Sequence, residues 1–332
     1  MSEQMRARDP NEFTRPRDSK VETMMSARGI TPWHELGKVV EGTPSSEDAI
    51  RFAGLDWEVL KEPLVLKNPR WDGLDVPAWA TVRGTDGRIF GIVGERYTVL
   101  QNREAFQIAD ALFEQGARWE TAGALDKGGR VWMLCRLQEE PEADEVVPGD
   151  QILTYLLFVN RHDGLGCVQV LPTTVRVVCR NTVRLALGEN KDRIFSIRHT
   201  EGVLSRARVA AELIKAAAGR KEKFIADARE LARVKVPRQR QVNYLRSTLK
   251  VAEDKEKRTP QQQKRLDEAI TRLERQINDT DTAWALFNTV TEMTNWSGRV
   301  GRSEGMERLF SVVDGTGDKT NQRAWREALE LV

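Results

Sequence analysis

The chain has 332 residues, of which 40% are hydrophobic, 31% are charged and nine are Trp; that supplies a core anchored by several aromatic rings, in two domains or one large domain with appendages. No apolar run approaches the roughly 18 residues that cross a bilayer, which excludes a membrane helix, and residues 1–25 read as a disordered arm rather than a secretory signal, because Met1–Lys20 alternates charges around no apolar centre. The net charge of +2 hides an asymmetry: residues 161–250 carry 20 Lys/Arg against 8 Asp/Glu, leaving 32 against 42 elsewhere, and a basic block inside a near-neutral chain reads either as the footprint of a polyanion partner or as a solvated helix surface.

In chain order, Thr31-Pro32 and Gly37 bracket a short anchor carrying Trp33 and Leu36. Ser45, Ser46 and Glu47 start a helix that runs to Ala53 and ends at Gly54. Short strands follow at Asp56–Leu60 and Leu64–Lys67, separated by Pro63. Pro77–Arg83 and Arg88–Val93 form a hairpin around Asp86-Gly87. Asn102 caps a helix with Ala105, Phe106, Ala109, Leu112 and Phe113 on one face. Arg118–Leu125 pairs with Arg130–Gln138, and Ile152–Asn160 pairs with Gly166–Leu171 around His162-Asp163-Gly164. Thr174–Cys179 is a β-branched run, and Asn181 starts a helix through Leu187. Three hairpins closed by Asp-Gly or Gly-Gly turns argue for an antiparallel α+β core over 26–200. Beyond it lie a charged, mainly helical region over 201–280 and a helical segment over 281–332, whose Trp284, Phe287 and Met293 fit it to dock on the core.

Few residues carry recognisable chemistry. The three cysteines, Cys135, Cys167 and Cys179, are odd in number and set among apolar residues, as reduced thiols of a cytosolic protein are. His34, His162 and His199 lie in separate segments with no ligand spacing, so neither a metal nor a cofactor is expected. Gly315-Thr316-Gly317-Asp318-Lys319-Thr320 ends like a phosphate loop, but Asp318 stands where the lysine belongs, and a helix cap at Thr320 fits better. His162 beside Asp163 is the one candidate acid/base couple, set against a structural hydrogen-bonding pair in a turn.

The basic constellation is denser. Arg176 and Arg180 fall two strand periods apart, on one face if the strand persists, and Arg184 follows on the helix that Asn181 starts. Guanidiniums gathered at a strand-to-helix junction suit phosphate oxygens, and the helix N-terminus adds to them; the alternative is that Arg176 and Arg180 pair with carboxylates inside the fold. Arg161, Lys191, Arg193, Arg198, Arg206 and Arg208 extend the track, and Tyr97 and Trp132 are candidates to stack on bases.

Several segments taken together resemble a known family: Thr31-Pro32-Trp33-His34-Glu35-Leu36-Gly37, Gly91 through Phe106, Thr121 through Leu125, Asn160-Arg161-His162-Asp163-Gly164, Val175 through Thr182, and Ala283 through Asn288. The chain resembles the phage/plasmid-like proteins built around a domain of unknown function numbered nine-three-two. That family commonly has Gln at the position of Arg180. The resemblance implies residence on bacterial mobile elements and supplies no catalytic residues. The resulting expectation is a cytoplasmic, non-enzymatic protein that binds nucleic acid, above all single-stranded DNA, and anneals or handles strands in replication or recombination. The alternatives are an enzyme built at His162 and Asp163, and an assembly module whose helices over 203–278 make a homo-oligomer.

Overall fold

The computed structural model describes residues 23–26, 38–39, 44–107, 118–136, 144–166, 168–176, 181–184, 195–197, 199, 210–276, 279–297, 311 and 315–332. Its centre is a sheet built from hairpin signals. β1 (Thr23–Ser26), β2 (Lys38–Val39), β6 (Arg118–Leu125), β7 (Arg130–Arg136), β8 (Asp144–Glu145), β9 (Gln151–Arg161), β10 (Val168–Arg176), β11 (Asn181–Arg184) and β12 (Phe195–Ile197) belong to it. Their order is β11-β10-β9-β7-β6-β1-β2, with β12 beside β10 and β8 beside β9. Every pairing is antiparallel except the β1–β2 edge. A second, three-stranded antiparallel sheet comprises β3 (Val59–Val65), β4 (Asp75–Arg83) and β5 (Ile89–Val93). The fold is α+β.

Register decides the core. Ala122 faces Met133, Met133 faces Phe158 and Phe158 faces Val170, so one apolar row crosses four strands. Helices α1 (Ser46–Phe52) and α2 (Asn102–Gln107) cover that face together with Trp57, Leu100 and Trp119. Ser45 caps α1 by accepting from the Asp48 N–H. The buried Trp119 indole donates to Ser46 Oγ at 3.0 Å, so its polar edge is satisfied where its ring is buried.

Two prolines sit where a sheet tolerates them. Pro63 lies in β3, an edge strand, at a register shift, so Val59–Val65 is one strand rather than the two separated pieces the sequence suggested. Pro172 lies in β10 between the reach of β12, which covers 168–170, and of β11, which covers 173–176. The strand therefore exchanges neighbours at the one residue without a backbone donor.

The helices α3 (Ala210–Leu231), α4 (Arg238–Thr248), α5 (Pro260–Leu273), α6 (Ala283–Trp296) and α7 (Thr316–Leu329) share a second core around Phe224, Tyr244, Leu266, Trp284, Phe287 and Trp325. Thr259 and Gln262 cap α5 reciprocally, with Pro260 in its first turn. The boundary drawn at residue 280 falls inside this packed cluster, because α6 and α7 bury the same aromatic rings as α3 to α5. Gly315 rather than Thr320 precedes α7. Val146 and Ile152 join this core, and Trp284 Nε1 donates to the buried Asp150 Oδ2 at 2.8 Å, tying the helices to the β8–β9 edge. No described helix is long and apolar enough to cross a membrane.

The small sheet meets the large one at the turn after β9. Thr81 Oγ1 donates to the His162 carbonyl at 2.6 Å, and Arg83 donates to the Lys127 carbonyl. Gly91 lies so close to the Asp163 backbone that a methyl group there would overlap the Asp163 carbonyl, whereas Gly94, three residues on, has open space. Gly91→Ala should therefore lower the thermal midpoint by the equivalent of about 1–3 kcal/mol of overpacking, and Gly94→Ala should be near neutral. Equal midpoints for the two variants in calorimetry would contradict this docking.

Candidate nucleic-acid interface

The turn that carries Arg161, His162 and Asp163 is closed by Gly164 at φ +73°. Arg161 grips Asp163 in a two-pronged ion pair, Nε to Oδ1 at 3.1 Å and Nη2 to Oδ2 at 2.6 Å, and the Leu165 N–H donates to Oδ1 at 2.9 Å. The Asp163 side chain is buried, so its charge requires this partner. Arg161 is consequently half-spent as a phosphate ligand.

His162 is fully buried and belongs to a different network. Asn102 donates through Nδ2 to the Leu55 carbonyl at 2.8 Å, which leaves Asn102 Oδ1 to accept from His162 Nε2 at 2.9 Å. The proton therefore sits on Nε2, and Nδ1 is a buried acceptor with no hydrogen-bond partner among the described residues. Trp57 and Phe90 pack against the ring at 5.6 and 5.7 Å between centroids. Burial, with His199 nearby, pulls the His162 pKa down to about 3 against the opposing pull of Asp163. His162 and Asp163 thus answer to Asn102 and Arg161 and do not hydrogen-bond to each other. The structure does not make the acid/base couple that their adjacency suggested.

Tyr97 is also turned inward. Its ring stacks on His199 at 4.9 Å and 16°, and its hydroxyl donates to the Arg161 carbonyl at 3.1 Å. Burial raises its phenol pKa, and the charge of Asp163 adds to the rise. His199 is buried, and neither ring nitrogen has a hydrogen-bond partner among the described residues. Burial lowers its pKa to about 4, while the Thr98 backbone and Asp163 pull the other way. Trp132 is fully buried in β7. Neither Tyr97 nor Trp132 is placed to stack on a base.

The junction expected after Cys179 takes another form. Asn181–Arg184 is the strand β11, antiparallel to β10, so no helix N-terminus lies at Asn181. On this ladder Arg176 stands opposite Asn181 and Arg184 opposite Thr173. Arg180, Lys191, Arg193, Arg198, Arg206 and Arg208 lie outside the described residues, as do His34, Cys167 and Cys179. Among the described residues no group of His, Cys, Asp or Glu could hold a metal ion.

A basic groove that the sequence reading missed lies between α4 and α7. Arg240, Asn243, Tyr244 and Ser247 recur at helical spacing on α4 and face Arg323, Arg326, Glu327 and Glu330 across a volume of about 590 Å³. Tyr244 Oη donates to the Ala324 carbonyl at 2.8 Å, Arg323 Nε to the Thr248 carbonyl at 3.0 Å, and Ser247 Oγ to Glu327 Oε1 at 3.1 Å. From Leu231 to Lys250 the sequence holds six Lys/Arg and no Asp or Glu. Carboxylates from elsewhere meet Lys235, Arg238 and Arg246. Arg233, Arg240 and Lys250 are exposed and have no carboxylate within ion-pair distance among the described residues. The pKa of Arg265 is lowered first by burial and then by the charge of Arg323. The signal was the acid-free run itself, whose face only the partner helix reveals.

The family described as a domain of unknown function (DUF932) matches residues 89–325, more than half of the chain. The chain belongs to that family. No curated protein and no solved structure matches it. The DUF932 span reaches from β5 into α7, so it contains the Arg161–Asp163 turn and most of the groove, and it excludes the β3–β4 hairpin.

The buried histidines predict the sign of an acid effect. Both fold with a pKa below the 6.5 of a free imidazole, so the unfolded chain takes up protons first. The stability that goes with neutral rings is fully present above about pH 6.5 and is lost as pH falls toward 4 and then 3. Urea midpoints at about pH 7.5 and 5 should show this loss, and His199→Phe should reduce it. An unchanged pH dependence in that variant would show that His199 titrates normally.

Proposed function

We propose that this DUF932 protein binds single-stranded nucleic acid through its phosphates and has no chemistry of its own, serving strand handling or annealing on a bacterial phage or plasmid, in the cytoplasm. The observation that supports it best is the acid-free cationic run over Leu231–Lys250, whose Arg240 on α4 lines the groove with Arg323 and Arg326 of α7. Exposed guanidiniums without carboxylate partners release counterions when phosphates replace them, which gives affinity without sequence preference. The wider excess over 161–250 extends the same field. Glu327 and Glu330 also line the groove. An enzymatic reading at His162 and Asp163 has less support, since a fully buried ring saturated at Nε2 offers no route to a substrate.

Anisotropy titration of a labelled deoxythymidine oligonucleotide tests this. Binding should be measurable at about 50 mM salt and weaken linearly on a logarithmic plot toward about 200 mM. Arg240→Glu with Arg326→Glu should weaken it by roughly tenfold or more and reduce the slope by about two, one per lost phosphate contact. Absence of binding at low salt, or a double variant that binds like the parent, would remove the proposal.

A further inference from the structure

The turn joining β3 to β4 carries a feature that phosphate binding does not use. Its backbone is locked by its own hydrogen bonds. The Leu66 N–H donates to the Leu74 carbonyl at 2.9 Å and the Gly73 N–H to the Leu66 carbonyl at 3.0 Å. The Trp71 N–H donates to the Asn68 carbonyl at 2.9 Å, the Leu74 N–H to the Trp71 carbonyl at 3.1 Å, and the Arg70 N–H to Asn68 Oδ1 at 2.9 Å. Gly73 sits at φ +78°, a conformation that glycine adopts without strain. A turn fixed this way does not need its side chains for packing, and they are not packed: Trp71 is 52% exposed, Val65 57% and Leu74 56%, with Leu66 beside them.

Single exposed apolar residues are ordinary, but four adjoining ones on a locked tip are not. The contrast lies within the chain, where Trp57, Trp119, Trp132, Trp284 and Trp325 are all buried. The chemistry of the tip narrows what would cover it. The Arg70 guanidinium lies 5.2 Å from the centre of the Trp71 ring, and Lys67 precedes it in the turn. An indole flanked by cations is the arrangement that takes a base on the ring and a phosphate beside it. Asp72 and Asp75 follow, however, so the tip as a whole is close to neutral. Its affinity would then come from the base rather than from phosphate neutralisation, and only an unpaired strand offers the face of a base.

We infer that the β3–β4 tip is a base-stacking finger on which Trp71 receives an unpaired base, giving the protein its preference for single strands over duplex. This rests on the nucleic-acid reading above and adds to it a contact insensitive to salt, outside the α4–α7 groove. Leu66 and Leu74, joined by a backbone hydrogen bond across the turn, form the apolar flank against which the base edge lies.

The full chain, with Trp71→Ala and Trp71→Phe variants, would be titrated with a deoxythymidine oligonucleotide, an abasic oligonucleotide of equal length and a duplex, with light scattering of each protein alone. Trp71→Ala should weaken thymidine-strand binding by about 5- to 150-fold, the range of one lost base stack. Its salt slope and its binding to the abasic strand and the duplex should match the parent, and Trp71→Phe should recover most of the loss. Equal affinity of parent and Trp71→Ala for the thymidine strand overturns the finger while leaving the groove standing, as does an equal loss on the abasic strand. A mass change confined to Trp71→Ala would make the tip a protein contact and likewise overturn it. Failure of the parent to bind either strand at low salt overturns both.

Discussion

The Asp163 carboxylate lies at the end of the longest strand with almost no access to water, and the surrounding architecture follows from how that charge is met. Arg161, two residues earlier on the same turn, supplies a two-pronged guanidinium. Removing one member of such a pair strands the other, a loss of about 3–5 kcal/mol when both are deeply buried and less here because the arginine keeps some solvent. With the turn fixed, its carbonyls become docking points. That of His162 accepts from Thr81, and that of Asp163 presses on Gly91. The small sheet is thereby held against the end of the large one, and the His162 ring is sealed between Trp57 and Phe90. The residues that most resembled an active site in sequence are the joint between two sheets.

The helical region is organised around a separate set of aromatic rings. Phe224 stacks on Trp325 at 4.6 Å, and Phe287 meets the same indole edge-on at 4.9 Å. That cluster draws on all five helices from α3 to α7, so the first and last of them stand or fall together. It joins the strands through Val146 and Ile152, which share its core, and through Trp284 to Asp150 and Lys221 to Asp144. The groove belongs wholly to this second core. The groove therefore lies on this helical unit and not at the Arg161–Asp163 joint.

The hairpins could be read from sequence because their signals are local. Asp86-Gly87 and His162-Asp163-Gly164 place glycines at positive φ where the turn requires them, and apolar residues alternate on both sides. Asn181–Arg184 was misread because a short run holding Asn, Thr and Arg suits a helix start as well as an edge strand, and only pairing with β10 decides between them. The role of Asp163 was hidden for a similar reason. Adjacency to His162 in sequence suggested a couple, while strand geometry sends the two side chains to different partners. The groove escaped because half of its lining comes from α7, about eighty residues after α4. The Trp71 finger escaped because composition predicts that tryptophans are buried, and nothing local marks the exception.

What the DUF932 chain offers a ligand thus lies away from the motif that drew attention first. The central structural claim, that the Arg161–Asp163 turn holds the small sheet to the large one independently of the helical core, is open to direct measurement. Hydrogen exchange by mass spectrometry on Asp163→Asn should show faster exchange across β3, β4 and β5 and at the turn itself, with protection in α4 to α7 unchanged. Exchange that stays at parental rates in the small sheet, or that rises equally in the helices, would contradict the account.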